Sequence, residues 1–153
     1  MRQIISDFIS LLSGPISAMV FGFVLAVMTQ SSSIVSSLVI LFVGENLLTF
    51  YQAMGIIIGT NIGTTITSIF VASTMGIEAK KAAMAHFLFN FLGALIFLPL
   101  FNFVSTNKSI LGSDIVHQVA NFHVLFNIIS TVIFLLLIKP FKNLVVNMVT
   151  PEK

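Results

Sequence analysis

Four apolar blocks, each about as long as a bilayer is thick, run through this chain and leave few options for its fold. A helix crossing the hydrocarbon core needs about 20 mostly apolar residues. The blocks lie at about 16–43, 50–74, 82–104 and 116–138. Little else could face water, since 57% of the residues are hydrophobic and only 8% are charged. A soluble domain carries about 25% charged residues. The chain therefore reads as an all-α integral membrane protein, one membrane domain over residues 1–153 with no soluble domain.

Blocks one and two differ from the others in carrying polar runs at their centres. Thr29-Gln30-Ser31-Ser32-Ser33 interrupts the first, and Gly59-Thr60-Asn61-Ile62-Gly63-Thr64-Thr65 the second. Lipid cannot satisfy free backbone groups, so a non-helical stretch at that depth must be buried in protein or line a wet cavity. Two such runs in consecutive blocks predict two interrupted segments meeting at one mid-membrane site, the usual plan of secondary transporters. At about 28 residues, block one exceeds a straight span. The favoured reading is a re-entrant hairpin with Gln30–Ser33 at its tip, opened by Gly14-Pro15 and closed by Gly44-Glu45-Asn46. A single long, tilted, broken helix is the alternative. The fold expectation is thus a re-entrant hairpin plus about three transmembrane helices.

Charge is confined to the connections. Lys80 and Lys81 precede block three, and Lys139 and Lys142 follow block four, so two crossings put all four on one side. Lys108 and Asp114 lie on the other side. The positive-inside rule makes the four-lysine side cytoplasmic, in a multi-pass protein of the cell membrane. A net charge of +2 with no clustered basic face excludes nucleic-acid binding. Without cysteine, disulfides and thiolate metal sites are excluded. No acidic residue lies within a span to orient a histidine and no nucleophile elbow is present, so the reading is not an enzyme. Residues 1–13 lack the unbroken apolar core of a signal peptide.

A half-helix beginning after Gln30-Ser31-Ser32-Ser33 would present free N–H groups and about half a positive charge, which suits an anion such as phosphate. The serine hydroxyls and the Gln30 carbonyl offer hard oxygens that suit Na+. The competing reading is interhelical hydrogen bonding by Ser and Thr. In the second run, Gly59 and Gly63 would let the backbone leave helical geometry. Carbonyls near Gly59–Asn61 would then face a cation, N–H groups near Thr64–Thr65 an anion, and Thr60, Asn61, Thr64 and Thr65 would add oxygens. The alternative is a small-xxx-small packing face from Gly59 to Gly63. His86 with Asn90, and His123 with Asn127, sit four apart and share helix faces. They are expected to bond to each other across blocks three and four or to brace the tips.

Together these motifs resemble the type II sodium/phosphate cotransporter family. The likeness continues through Lys80-Lys81-Ala82-Ala83-Met84-Ala85-His86-Phe87-Leu88-Phe89-Asn90 and Ala120-Asn121-Phe122-His123-Val124-Leu125-Phe126-Asn127, covering about residues 15–142. It implies sodium-coupled phosphate transport by two inverted repeats that hold substrate between them. One repeat is present here, more similar to the second. Carried over residue by residue, the resemblance points to Gln30, Ser31, Ser32, Ser33, Thr60, Asn61, Thr64 and Thr65 as substrate and ion ligands. Na+ is expected at Gln30, Ser32, Thr60 and Asn61, with His86, Asn90, His123 and Asn127 in support. Expected partners are phosphate, Na+, the bilayer, and a second repeat or another copy of the chain, with no cofactor beyond the coupling ion. Phosphate is not separated from another oxyanion by these residues. A non-transporting subunit or fragment that assembles with a transporter is the alternative function.

Overall fold

A computed structural model describes residues 12–150, whose regular elements are all helical. They are α1 (Pro15–Thr29), α2 (Ser32–Gly44), α3 (Phe50–Ser73), α4 (Ile77–Phe97), α5 (Phe101–Thr106), α6 (Ile115–Leu136) and α7 (Ile138–Val149). Short 3-10 turns at Leu98–Leu100 and Lys108–Leu111 complete the set. Helix starts follow their local chemistry. Pro15 occupies the first turn of α1, where its missing N–H costs nothing. Thr49 and Gln52 cap α3 reciprocally, the Thr49 N–H donating to Gln52 Oε1 at 2.9 Å and the Gln52 N–H to Thr49 Oγ1 at 3.2 Å. Asp114 accepts from the N–H groups of Val116 and His117 to start α6.

Three helices are long and apolar enough to cross a membrane: Phe50–Ser73, the run Ile77–Thr106 that continues through the turn at Pro99, and Ile115–Leu136. They match blocks two to four. Block one divides into α1 and α2, of 15 and 13 residues. At 1.5 Å per residue these are about 22 and 20 Å long, short of the ~30 Å hydrocarbon core.

The second expected interruption is absent. Helix α3 runs for 24 residues through Gly59–Thr65 without a break. It is the centre of the fold, and every residue from Gln52 to Asn61 is buried. The glycines serve close packing instead. A Cβ at Gly55 would lie 2.6 Å from the Ala18 Cβ, one at Gly59 would collide with the Met19 carbonyl, and one at Gly63 would lie 2.8 Å from the Ala26 Cβ. A Cβ at Gly22 would likewise strike the Ile56 carbonyl. Two stripes of small residues, Ala18-Gly22-Ala26 and Gly55-Gly59-Gly63, thus bring α1 and α3 together backbone to backbone. Residue numbers rise in step along both stripes, so α1 and α3 are parallel. Helix α2 packs on α3 and is joined to Phe50 by residues 45–49, so it returns the chain to the start of α3.

The apolar core lies at that end. Phe50 and Phe122 meet edge to face at 6.1 Å, Phe97 and Phe126 at 4.9 Å, with Val35, Val39 and Val43 of α2 packed around them. At the opposite end, α7 begins directly after α6 and packs across α4, with Val145 buried and Phe141 4.9 Å from Phe134. The hydropathy reading contained no helix there.

Candidate functional site

The break between α1 and α2 is built from Thr29, Gln30 and Ser31. The Thr29 hydroxyl donates to the Leu25 carbonyl at 2.8 Å, ending α1 with a bond back to its own last turn. Gln30 takes the left-handed conformation (φ 53°, ψ 25°), which few non-glycine residues adopt. Ser31 is extended and caps α2, its hydroxyl accepting from the Ile34 N–H at 3.4 Å. Only Gln30 and Ser31 are non-helical; Ser32 and Ser33 form the first turn of α2. Their N–H groups have no carbonyl partner within the helix, as at any helix start. Gln30 and Ser33 are exposed, while Ser31 and Ser32 are partly buried.

The polar residues of α3 are arranged differently from the expectation. Because α3 is unbroken, it releases no carbonyls near Gly59–Asn61 and opens no new half-helix at Thr64–Thr65. Its threonine hydroxyls donate to carbonyls of their own helix: Thr60 to Ile56 at 2.8 Å, Thr64 to Asn61 at 3.0 Å and Thr65 to Ile62 at 2.6 Å. Thr60 also reaches the Gly22 carbonyl of α1 at 3.3 Å, tying the two helices. Thr60 and Thr65 are fully buried, whereas Thr64 is partly open. Asn61 is buried with its Nδ2 unpartnered, and so is the Ser36 hydroxyl of α2. A buried amide N–H without a partner is costly and needs an explanation.

Gly63 meets Phe23 and Ala26 of α1. One further turn of parallel helix brings Thr29–Gln30 level with about Ile66–Thr67. The break is therefore beside the Thr64–Ser68 stretch rather than level with Thr60. Just beyond, α3 and α4 frame an open groove of about 500 Å³ lined by Thr67, Ser68 and His86 among small apolar residues. Thr67 and Ser68 were not among the expected site residues. Their position one turn past Thr64 was the available signal.

The expected bond between the two His-Asn pairs does not form. Asn90 Nδ2 donates to the His86 carbonyl at 3.0 Å, and Asn127 Nδ2 to the His123 carbonyl at 2.8 Å, each within its own helix. In an apolar span the preceding turn offers the nearest acceptor, and each amide takes it. His86 is exposed on α4, Asn90 is buried, and His123 and Asn127 are partly buried on α6. Among the described residues no three His, Cys, Asp or Glu converge.

Comparison with known proteins identifies the family. The sequence profile of the Na+/Pi-cotransporter family matches residues 1–129. The protein named "Uncharacterized protein YqeW" of Bacillus subtilis (strain 168) is 34% identical over 137 residues, 90% of this chain and 44% of its own length. Sodium-dependent phosphate transport protein 2B of Homo sapiens is 39% identical over 97 residues, 60% of this chain and 14% of its own. Protein 2A of Ovis aries is 37% identical over 97 residues, covering 60% and 15%. The chain thus spans less than half the length of these relatives. No solved structure matches it. The chain belongs to the Na+/Pi-cotransporter family, a family of transporters and not of enzymes.

Proposed function

We propose that this member of the Na+/Pi-cotransporter family supplies one half of a sodium-coupled phosphate transporter in the cytoplasmic membrane. The observation that carries the reading is the break at Gln30–Ser31, where a helix N-terminus opens inside an apolar block. On this reading α1 and α2 form a re-entrant hairpin, entering from the side opposite Lys80, Lys81, Lys139 and Lys142. The N–H groups of Ser32 and Ser33 and the dipole of α2 attract the phosphate oxygens. The Gln30 side-chain carbonyl and the Ser32 hydroxyl are neutral oxygens suited to Na+. From α3, side chains rather than backbone contribute: the unpartnered Asn61 amide and the partly open Thr64 hydroxyl. A second repeat, from a longer chain, a partner chain or another copy, supplies the opposing half. Alternating access follows from rocking one half against the other around the site.

The test is uptake of labelled phosphate into vesicles under a sodium gradient, with the missing repeat co-expressed. Gln30→Ala and Ser32→Ala should each lower uptake about tenfold or more while leaving the protein in the membrane, a loss in the range of one charge-assisted hydrogen bond. Unchanged uptake in both variants would refute the site. Competition with sulfate reads how far the site distinguishes oxyanions.

One observation favours a second reading, a non-transporting subunit. The unbroken α3 and its sealed Thr60 and Thr65 are what a packing element needs. That reading predicts a stable heteromer whose phosphate binding does not respond to Na+.

A further inference from the structure

At the end of the bundle opposite the aromatic core, α7 crosses α4 and leaves a groove of about 380 Å³ between them. Its floor is apolar, formed by Ala82 and Ala85 of α4 and by Ile138, Phe141 and Val145 of α7. Its charged lining is Lys81 and Lys142 together with the Glu78 carboxylate. Lys139 is three residues before Lys142, on the same side of α7.

The depth of this groove follows from helix lengths. Helix α6 has 22 residues, about 33 Å, and so uses the full thickness of the hydrocarbon core. Helix α7 begins directly afterwards, at the membrane boundary, and the first turn of α4 lies at the same level. The groove therefore straddles the boundary, with apolar side chains toward the acyl region and ammonium groups toward the head groups. In α7, Phe141, Val145 and Met148 gather on one side while Lys139, Asn143 and Asn147 gather on another, the pattern of a helix lying in the interface plane.

We propose that this groove binds an anionic phospholipid, its phosphate held between Lys81 and Lys142 and the start of an acyl chain laid on Ala85 and Phe141. A soluble anion has no use for the apolar floor, and a zwitterionic lipid gains little from two lysines. The pair of features fits one occupant. Basic pockets between helices on the cytoplasmic side commonly take such head groups. Lys142 has no ion-pair partner among the described residues. Lys81 holds Glu78 at 2.8 Å, but Glu78 is 81% exposed, so this pair is weak and yields to a phosphate. The proposal is independent of phosphate transport and stands or falls separately from it.

The purified full chain, delipidated in mild detergent, is titrated with phosphatidylglycerol or phosphatidylcholine and bound lipid is counted by native mass spectrometry. Phosphatidylglycerol should be retained more tightly. Each lysine near the surface contributes about fivefold, so the double variant Lys81→Gln, Lys142→Gln should lose retention about 20–30-fold. Lys108→Gln, at the other end, should change nothing. Glu78→Gln should strengthen retention by removing the competing carboxylate. Ala85→Phe, which fills the floor and spares the lysines, should also abolish the preference. Equal retention of the two lipids would overturn the site, as would displacement by millimolar inorganic phosphate. Loss of the preference in the lysine variant but full retention in Ala85→Phe would mean attraction to the surface alone, and would also overturn it.

Discussion

Replacing Gly59 by alanine should open the α1–α3 interface. The new Cβ would lie 2.6 Å from the carbonyl carbon and 2.8 Å from the Cα of Met19, where ordinary contact begins at 3.4 Å. The Met19 carbonyl oxygen is closer still, so helix α1 must retreat by more than an ångström, because backbone on both sides offers no rotamer to absorb the overlap. Overpacking of this kind costs about 1–3 kcal/mol, and an obstruction made of backbone belongs at the upper end. The retreat also stretches the Thr60 bond to the Gly22 carbonyl, already 3.3 Å long and worth about 0.6 kcal/mol on the average for membrane interiors. Alanine returns up to about 1 kcal/mol through its helix propensity. A net loss of about 2–3 kcal/mol is expected. The assay is unfolding of the chain in mild-detergent micelles on titration with a denaturing detergent, followed by circular dichroism. Two further variants grade the result. At Gly93 the new Cβ meets a movable group, the Ser130 hydroxyl at 3.0 Å, so Gly93→Ala should fall within about 1 kcal/mol of wild type. At Gly76 nothing lies within 4 Å, and Gly76→Ala should cost about 0.5–1 kcal/mol as a poorer cap. If Gly59→Ala is as stable as Gly93→Ala, the argument that the glycines serve close packing fails.

Three other outcomes follow from single groups. Hydrogen bonds from the His117 and Val116 backbone and from the His117 side chain hold the Asp114 carboxyl below its ordinary pKa. Its capping is thus complete above the unfolded value near 3.8 and is lost as pH falls through the lower folded value; amide exchange at Val116 and His117, corrected for intrinsic rates, should speed up only below about pH 4, and acceleration already at pH 6 would contradict this. Ser36→Ala removes a buried hydroxyl that has no partner and should be neutral or stabilising by up to about 1 kcal/mol, read in the same detergent titration. Ser31→Ala should loosen the first turn of α2 by about 0.5–1 kcal/mol, the low end for a cap because its bond is 3.4 Å long, and the Ile34 amide should exchange faster.

Much of the fold was legible because hydropathy and length answer the same question. Blocks two to four coincide with the long helices, and the first break falls where a Gln-Ser-Ser-Ser run sits in an apolar block. The second polar run misled for a physical reason. Gly, Thr and Asn in the middle of a span suit either a break or a close crossing, and composition does not separate the two. Thr60, Thr64 and Thr65 can return their hydroxyl protons to the preceding turn, so their polarity alone demands no opening of the helix. The discriminating signal was the matching four-residue spacing on another segment, Ala18-Gly22-Ala26, which only makes sense opposite Gly55-Gly59-Gly63. Helix α7 was missed because Lys139 and Lys142 placed the residues after block four in a charged connection, whereas they belong to a new helix with Pro140 in its first turn. The His-Asn spacing put each asparagine one turn beyond its histidine, but it could not reveal that each asparagine bonds backward along its own helix.

An unbroken α3 also changes the electrostatics required of any anion site here. With one break, the described residues offer one helix N-terminus inside an apolar block, worth about half a positive charge. No lysine or arginine lies within blocks one and two, so nothing formal adds to it. Phosphate carries between one and two negative charges at neutral pH. In a medium of low dielectric, an excess of about one uncompensated charge is prohibitive. Asn61 and the serines reduce the deficit only as neutral dipoles. The remainder must arrive with the substrate as cations, or from an opposing element with a second helix end. The proposed transporter can draw on both: neutral oxygens at the break make room for Na+, and the half-site gives a physical reason for a second repeat. Coupling to sodium would then be less an added property of the site than the condition under which so weakly charged a site can hold phosphate at all.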